Sequence, residues 1–240
     1  MEKYFMSHTD EFYAEYGHDV LLSHLKNIVK LPPNTVLMDL GANVGSYTQH
    51  LRDLACNGCK IVSVEPNPVN LRLLQSQEGI QIHRKCVSDA QHEGTILPFY
   101  NWAGASFNAA GNSLAGLRSG GTKICDVEVT TVDSIMNEQN GMQLSFCKID
   151  VEGHELEALR GFGEHLKTVQ HIIFECSDCL DDNRGPGVTA PMKTIVDLLH
   201  ANGLHVYRIG TRCLIPLHGE WWHNSYETTK FFSNCYATRM

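Results

Sequence analysis

The sequence predicts an α/β protein with a doubly wound, mostly parallel sheet. Three observations predict this class: short apolar runs recur along the chain, segments with helical spacing separate them, and Gly or Pro residues end those segments. A parallel sheet covered on both faces needs such apolar strands joined by helices. Because 240 residues suit one domain of this class, we expect a single domain over residues 1–240.

The first half of the chain supplies a helix, three strands and two connecting helices. Leu21, Leu25 and Ile28 recur at helical spacing before a Pro-Pro pair, which indicates a helical N-terminal extension over about residues 1–33. Strands are predicted at TVLMDLG, IVSVE and IQIHRKCVS. Between them, residues 44–55 place apolar side chains on one face, and PNPVNLRLLQSQ becomes helical after its prolines.

The second half repeats the alternation after an irregular stretch. EGTILPFYNW and DVEVTTVDSI are predicted to be extended. The small-residue stretch between them predicts a mobile loop over about residues 101–122, with a disordered surface insertion as the alternative. LSFCKID, VQHIIFE, HVYRIG and KFFSNCYATRM predict strands, and HELEALRGF predicts a helix. A last helix is predicted to begin at Thr189 and Pro191 and to end at Gly203.

Composition and charge exclude several classes of partner. The net charge of −8 and the pI near 5.9 argue against a surface that grips phosphate backbones, so we expect no nucleic-acid partner. No apolar run approaches the roughly 20 residues that span a bilayer, and the N-terminus lacks the pattern of a signal peptide. We therefore expect no membrane span and a cytoplasmic location.

Nine cysteines without a regular framework favour reduced thiols. Two Cys-x-x-Cys pairs, Cys56/Cys59 and Cys176/Cys179, have the spacing of zinc ligands. The first pair precedes a predicted strand and the second follows one, so about 17 Å of sheet should separate them. A shared zinc site is therefore disfavoured.

Acidic and polar residues follow three consecutive predicted strands. Ligands of parallel sheets bind beyond the carboxyl ends of the strands, where Asp39, Glu65 and the pair Ser88–Asp89 are expected. Any one acid alone is more typical of a solvated surface, but the set favours a nucleoside cofactor. Glu65 can accept hydrogen bonds from both ribose hydroxyls, and Ser88–Asp89 can bond an adenine amino group.

The stretch DLGANVGSYT places Gly41 and Gly45 at the start of a helix, where backbone can approach a ligand closely. The dinucleotide pattern G-x-G-x-x-G would have glycine where Asn43 stands. A pyrophosphate needs that open space, whereas S-adenosyl-L-methionine carries no phosphate. Its sulfonium and ammonium groups suit Asp39, two residues before Gly41.

Three segments, VLMDLGANVGSYT, VEPNPVNLRLL and KIDVEGHELEALRG, resemble the signature segments of FkbM-family methyltransferases, which have the class I S-adenosylmethionine-dependent fold. The resemblance runs from about Val36 to Glu175. It implies a seven-stranded sheet with an antiparallel last strand, and methyl transfer to a hydroxyl of a small molecule, often a sugar or polyketide. It implies a first cofactor loop formed by Asp39, Gly41, Asn43, Gly45 and Tyr47, with Glu65 on the ribose.

Methyl transfer to a hydroxyl needs a group that takes the proton. Asp150, at the end of the fourth predicted strand, and His154 are the candidates, with Glu152 and Glu175 close behind. These acids could also hold a divalent ion, although we expect no metal. Glu155 and Glu157 are predicted to be solvated at the amino end of a helix. The pair Trp221–Trp222 indicates either packing or contact with the acceptor.

The favoured function is therefore an S-adenosylmethionine-dependent O-methyltransferase that acts on a small molecule, with a sugar or glycan first. Two alternatives stay open: an NAD(P)-dependent reductase on a related sheet, and a non-catalytic nucleoside-binding module of the same fold. Asn43 argues against the reductase. The acceptor, the position methylated and the oligomeric state are left open by the sequence.

Overall fold

An eight-stranded sheet lies at the centre of the structure, a computed structural model that describes residues 21, 25–26, 29–101, 112–113, 122–177, 192–210, 213–224, 226 and 232–239. The described strands are β1 (Thr35–Leu40), β2 (Lys60–Val64), β3 (Ile80–His83), β4 (Cys86–Val87), β5 (Ile96–Asn101), β6 (Asn112–Ser113), β7 (Lys123–Thr130), β8 (Gln143–Ile149), β9 (His171–Ser177), β10 (His205–Ile209), β11 (Leu214–Pro216) and β12 (Phe232–Thr238). Five α-helices have described bounds: α1 (Ser46–Leu54), α2 (Pro68–Leu74), α3 (Val132–Asn137), α4 (Glu155–Arg160) and α5 (Met192–Ala201).

The strand order of the central sheet is β11-β10-β12-β9-β8-β1-β2-β3. Strands β3, β2, β1, β8 and β9 run parallel, and β12 is antiparallel to both of its neighbours, β9 and β10. This arrangement confirms the predicted doubly wound, mostly parallel sheet with an antiparallel last strand. The short β11 pairs with β10 and adds an eighth strand at the edge.

The core lies on both faces of this sheet. All six residues of β1 are buried, and successive side chains of a strand point to opposite faces. Val36 and Met38 pack in one cluster with residues of α3, α4 and α5, whereas Leu37 packs on the other face with Leu51 of α1. Leu21, a helical residue of the predicted N-terminal extension, belongs to this second cluster. Helices therefore cover both faces and leave the strand ends for function.

Local capping fixes where the helices begin. Asn67 caps α2 because its side-chain oxygen accepts a hydrogen bond from the backbone N–H of Val69 at 2.9 Å, and Pro68 suits the first turn. Thr131 caps α3 by accepting a hydrogen bond from the backbone N–H of Ser134 at 3.0 Å. The extended conformation predicted for all of DVEVTTVDSI is therefore wrong after Thr131.

A second sheet, ordered β4-β7-β5-β6, forms from the stretch that the sequence left irregular. The prediction of one strand over IQIHRKCVS is wrong, because β3 ends at His83 and β4 leaves the central sheet to pair with β7. Ser88 and Asp89 consequently follow a strand of the second sheet. Of the loop predicted over about residues 101–122, residues 112–113 form β6.

Several predictions fall outside the described residues. These are the remainder of the 101–122 loop apart from residues 101 and 122, the first 20 residues of the N-terminal extension, the helix start at Thr189 and Pro191, and Cys179. Within the described part of the chain, no helix combines the length and the apolar character needed to cross a membrane.

Candidate active site

The glycine turn, residues 41–45 after β1, is closed by backbone hydrogen bonds. The N–H groups of Gly41 and Ala42 both donate to the carbonyl of Val64 at 3.0 Å, and Gly45 donates to Ala42 at 2.8 Å. Gly41 has a φ of 74° and packs so tightly that an added Cβ would lie 1.8 Å from the backbone oxygen of Asp150. Gly41 is required because only glycine combines this conformation with that approach.

Glu65, at the end of β2, holds the glycine turn in place. Its Oε2 accepts a hydrogen bond from the backbone N–H of Asn43 at 2.8 Å, and its Oε1 accepts one from Asn67 at 2.7 Å. Burial raises the pKa of Glu65, while the hydrogen bonds from Asn67, Asn43 and Asn70 oppose that shift. The bonds from Asn43, Asn67 and Asn70 fill three of the roughly four lone pairs of the carboxylate, which leaves about one for a bound hydroxyl.

Asn43 occupies the position at which the dinucleotide pattern requires glycine. It adopts a φ of 50°, a left-handed conformation that Asn tolerates better than most residues. Its side-chain Oδ1 is buried and has no hydrogen-bond partner among the described residues. The turn therefore carries a side chain where a pyrophosphate would need space.

Lys148, in β8, joins the glycine turn to the predicted catalytic acids. Its buried Nζ donates to the carbonyl oxygen of Gly41 at 3.0 Å and lies 3.4 Å from Asp39 Oδ1 and 3.3 Å from Asp150 Oδ2. Burial alone would lower the pKa of Lys148, but the carboxylates of Asp150 and Asp39 raise it above the ordinary value. The same Nζ sits 4.8 Å from the centre of the Tyr47 ring.

Asp39 is placed behind the turn rather than on its surface. The side chain has no exposed area, and its Oδ2 accepts a hydrogen bond from Thr48 at 2.6 Å. Thr48 is in turn 3.0 Å from Ser63. Asp39 therefore stabilises the turn indirectly. It holds Lys148, which bonds the carbonyl of Gly41, and Thr48 of the following helix.

The acid turn, residues 150–153 after β8, carries two of the predicted catalytic residues. Asp150 extends the β1–β8 ladder by donating its N–H to Leu40 at 3.0 Å. Glu152 and Gly153 then have φ values of 55° and 89°, which confirms the turn that Gly153 predicted. A positive φ is uncommon for glutamate and costs on the order of 1–3 kcal/mol.

Glu175, in β9, completes a cluster with Asp150 and Glu152. One carboxylate oxygen from each residue lies within 4.8 Å of the other two. Burial, followed by the charges of Asp150 and Glu152, raises the pKa of Glu175 well above its usual range. Three carboxylates so close can share a proton, bond the hydroxyls of a ligand, or ligate a divalent cation through oxygen. The absence of a metal stays a prediction.

His154 lies apart from this cluster. Its Nε2 is 2.9 Å from the hydroxyl of Ser88, and its Nδ1 is 3.7 Å from a carboxylate oxygen of Glu157. Asp89 pairs with His92, whose Nδ1 lies 2.7 Å from Asp89 Oδ1. The structure thus brings three of the four predicted catalytic side chains together and places the fourth beside Ser88.

Sequence reasoning missed two residues of this site. Lys148 received no role, although a lysine within the apolar run LSFCKID, two residues before its closing acidic residue, was a usable sign. The prediction that Glu155 is solvated is wrong. Glu155 is buried and accepts a hydrogen bond from the N–H of Gly153 at 2.9 Å, and burial raises its pKa to about 8. This hydrogen bond stabilises the conformation of the acid turn.

The tryptophan pair divides between two environments. Trp221 is exposed, whereas Trp222 packs against the larger core cluster, with its ring 5.3 Å from that of Tyr226. The Nζ of Lys193 lies 5.6 Å from the centre of the Trp222 ring. Packing therefore accounts for Trp222, and contact with an acceptor stays a prediction for Trp221.

Comparison with known proteins identifies a family whose model matches the part of the chain that carries this site. The family model described as the methyltransferase FkbM domain matches residues 39–209, a range that includes both turns and the acid cluster. Methyltransferase sdnD of Sordaria araneosa is 26% identical over 187 residues, covering 65% of this chain and 72% of that protein. Hexuronic acid methyltransferase AglP of Haloferax volcanii is 23% identical over 184 residues, covering 74% of this chain and 70% of that protein.

Among solved structures, a methyltransferase FkbM from Methylobacillus flagellatus KT has a TM-score of 0.49 with 15% identity. The match covers 85% of this chain and 43% of that one.

Proposed function

The chain belongs to the methyltransferase FkbM family, and from that premise we propose that it transfers a methyl group from S-adenosyl-L-methionine to a hydroxyl of a small molecule, with a sugar or glycan as the favoured acceptor. One observation carries this proposal. Lys148 touches both the carbonyl of Gly41 in the glycine turn and the carboxylate of Asp150 in the acid turn. A donor site and a proton-accepting group therefore lie side by side.

The residues of the glycine turn fit this cofactor. Asn43 keeps an unbonded, buried Oδ1 that can accept a hydrogen bond from an amino or ammonium group. Glu65 already accepts bonds from Asn43, Asn67 and Asn70, and a ribose hydroxyl would use its remaining lone pair. Asp39, Gly41, Gly45 and Tyr47 complete the proposed loop, with Ser88 and Asp89 on the adenine side. Bound there, S-adenosyl-L-methionine supplies an already activated methyl group.

The protein's own part is alignment and proton removal. We assign the base to Asp150, because its side chain is 28% exposed and open to a ligand, whereas His154 bonds Ser88. Lys148 holds Asp150 in position through their ion pair. Burial raises the pKa of Glu175 well above its usual range, and in its protonated form Glu175 can donate a hydrogen bond to its neighbours.

A polyhydroxylated acceptor suits the acid cluster. The oxygens of Asp150, Glu152 and Glu175 are hydrogen-bond acceptors that can orient neighbouring hydroxyls of a sugar ring. The relative from Haloferax volcanii is named for a hexuronic acid, which is a sugar derivative. We further propose that the protein needs no nucleic-acid partner and works in a reducing, cytosol-like compartment, which the net charge of −8 and the free described cysteines support.

The first experiment asks which nucleoside binds. Calorimetry should show saturable binding of S-adenosylhomocysteine and none of NADH. Binding of NADH instead would favour the reductase. Failure of both would overturn the proposed cofactor.

The second experiment tests the base. Transfer of labelled methyl from S-adenosyl-L-methionine to a panel of neutral sugars, hexuronic acids and hydroxylated metabolites should identify an acceptor. Asp150→Asn should then keep donor binding and lower turnover by about 10²–10⁴-fold, because the proton acceptor is lost. Asp126→Asn, which changes an exposed aspartate of β7, is the matched control and should keep the rate. Equal rates for wild type and Asp150→Asn would remove Asp150 as the base.

A further inference from the structure

The cysteine turn, residues 56–59, links α1 to β2 and plays no part in the proposed methyl transfer. The Sγ atoms of Cys56 and Cys59 lie 3.0 Å apart. The turn is closed by a hydrogen bond from the N–H of Cys59 to the carbonyl of Cys56 at 3.0 Å, and Gly58 takes a left-handed φ of 77°. This backbone holds the two sulfur atoms side by side.

The turn lies at the rim of the sheet opposite the candidate active site. Cys59 precedes the first residue of β2, whereas Glu65 follows its last, so about 16 Å of strand separate them. The Sγ of Cys56 lies 3.2 Å from the carbonyl oxygen of Pro32, and the Sγ of Cys59 lies 3.7 Å from the hydroxyl of Thr35. Both cysteines are only partly buried, so a small molecule can reach them.

The two thiols differ in acidity. Burial alone would raise the pKa of Cys59, but hydrogen bonds with Cys56 and Thr35 lower it below the ordinary value. The hydrogen bond to Cys59 and then burial raise the pKa of Cys56. A thiolate forms more readily on Cys59, and the thiolate is the nucleophile in exchange with disulfides.

Other described cysteines are less suited to this chemistry. Cys86 and Cys147 are buried, and burial raises the pKa of each well above its usual range. Cys176 and Cys235 are also buried. Cys125 is partly buried and its pKa is likewise raised by burial. A sulfur neighbour at 3.0 Å, partial exposure and an activated thiol come together at the cysteine turn.

We propose that Cys56 and Cys59 form a redox-active dithiol that a low-molecular-weight disulfide such as oxidised glutathione converts to an intramolecular disulfide. The thiolate of Cys59 attacks one sulfur of oxidised glutathione, forms a mixed disulfide and expels one glutathione thiolate, which takes up the proton that Cys59 lost. Cys56 then loses its proton, attacks the Cys59 sulfur and expels the second glutathione. Two protein thiols are oxidised and one disulfide is reduced to two thiols.

The test maps the oxidised cysteines on the full chain. Wild-type protein is incubated without oxygen in oxidised glutathione, its remaining thiols are alkylated with a maleimide, and the digest is analysed by mass spectrometry. We expect the loss of two reactive thiols, a disulfide within the peptide that contains Cys56 and Cys59, and full reversal by reduced glutathione. Cys213→Ser, which removes an exposed cysteine outside the turn, should leave this result unchanged.

Serine variants separate the two roles. Cys56→Ser should stop at a stable glutathione adduct on Cys59, and Cys59→Ser should react more slowly at Cys56. The proposal is overturned if wild-type protein forms no disulfide between the two residues, or if glutathione remains attached to either of them. A zinc ion that copurifies with the chain and protects both thiols from the maleimide would also overturn it, since the turn would then be a metal site. The wild-type peptide map does not depend on the variants folding.

Discussion

Two neighbouring turns, one after β1 and one after β8, have similar backbone conformations but different electrostatic surroundings. Both contain a left-handed residue other than glycine: Asn43 in the glycine turn and Glu152 in the acid turn. In the first turn, the N–H of Asn43 is bonded to Glu65, which lies on the adjacent strand end. In the second turn, Glu152 brings its carboxylate towards Asp150 and Glu175.

The glycine turn mainly positions residues, whereas the acid turn brings together like charges whose repulsion lowers the stability of the fold. Hydrogen bonds that satisfy both partners stabilise the glycine turn and make it a fixed platform. Repulsion between the carboxylates of the acid turn opposes folding. The buried ammonium group of Lys148, which pairs with Asp39 and Asp150, offsets part of this unfavourable free energy. Clusters with raised carboxyl pKa values are typical of functional sites. We therefore expect changes to the glycine turn to lower both stability and binding, and changes to the acid turn to affect stability and turnover in opposite directions.

Lys148→Met removes the charge that both turns share and should have the largest effect. It leaves Asp39 buried without its cation, so we expect the free energy of unfolding to fall by about 3–5 kcal/mol in urea denaturation. Lys167→Met is the matched control, because Lys167 pairs with Glu164 at the surface, and it should change stability by less than about 1 kcal/mol.

The double variant Asp39→Asn/Lys148→Met keeps this prediction testable if the single variant does not fold. Removing both charges should recover part of the lost stability, because no uncompensated charge then remains at Asp39. Equal losses for Lys148→Met and Lys167→Met would show that the buried ion pairs do not stabilise the fold.

Gly41→Ala tests how tightly the two turns are packed together. The added Cβ would meet the backbone oxygen of Asp150, and alanine at a positive φ is itself strained, so we expect a loss of about 2–4 kcal/mol of unfolding free energy. Gly94→Ala isolates the backbone strain, because Gly94 has a φ of 72° with nothing within 4 Å of its added Cβ. A loss no greater than that of Gly94→Ala would contradict the proposed close packing.

Glu65→Ala tests the platform directly. The loss of a charged hydrogen-bond acceptor should weaken binding of S-adenosylhomocysteine by about 1–3 kcal/mol in calorimetry. Glu65→Gln should fall between alanine and wild type, because its amide oxygen still accepts one bond. The exposed Glu78→Ala should bind as wild type does. Unchanged affinity in Glu65→Ala would remove Glu65 from the cofactor site.

Glu152→Gly should give the smallest and most informative change. Glycine adopts the left-handed conformation without strain and removes one carboxylate, so we expect a gain of up to about 1 kcal/mol in unfolding free energy together with lower turnover. Asn140→Gly relieves similar backbone strain in an exposed turn and should leave turnover unchanged. A loss of stability in Glu152→Gly, measured in urea, would mean that neither backbone strain nor carboxylate repulsion at Glu152 destabilises the fold.

Much of the central sheet could be predicted from the sequence. β1 and β8 are mostly apolar because both of their faces are buried, and such runs are visible without coordinates. The run of β8 is followed directly by Asp150, so this acid could be placed at a strand end, whereas Asp39 lies inside β1 and is buried. The turn at Gly153 was equally predictable, because a glycine inside a polar stretch marks a change in chain direction.

Other features could not be predicted because they depend on which segments pair. IQIHRKCVS has the composition of one strand, yet Cys86 and Val87 bond β7, a strand about 40 residues further along the chain. Ser88, which directly follows β4, consequently lies 2.9 Å from the Nε2 of His154. Glu155 is an ordinary residue for the first turn of a helix, and only the packing of α4 shows that it is buried.

The sequence by itself determined the class of fold, because strands buried on both faces appear as short apolar runs and helices with one apolar face separate them. Tertiary structure alone decided that the buried Lys148 contacts both turns. It also decided that the carboxylates of Asp150 and Glu152, after β8, lie close to that of Glu175 in β9. Charges act through space over a few ångströms, and residues distant along the chain reach that range only once the sheet has assembled.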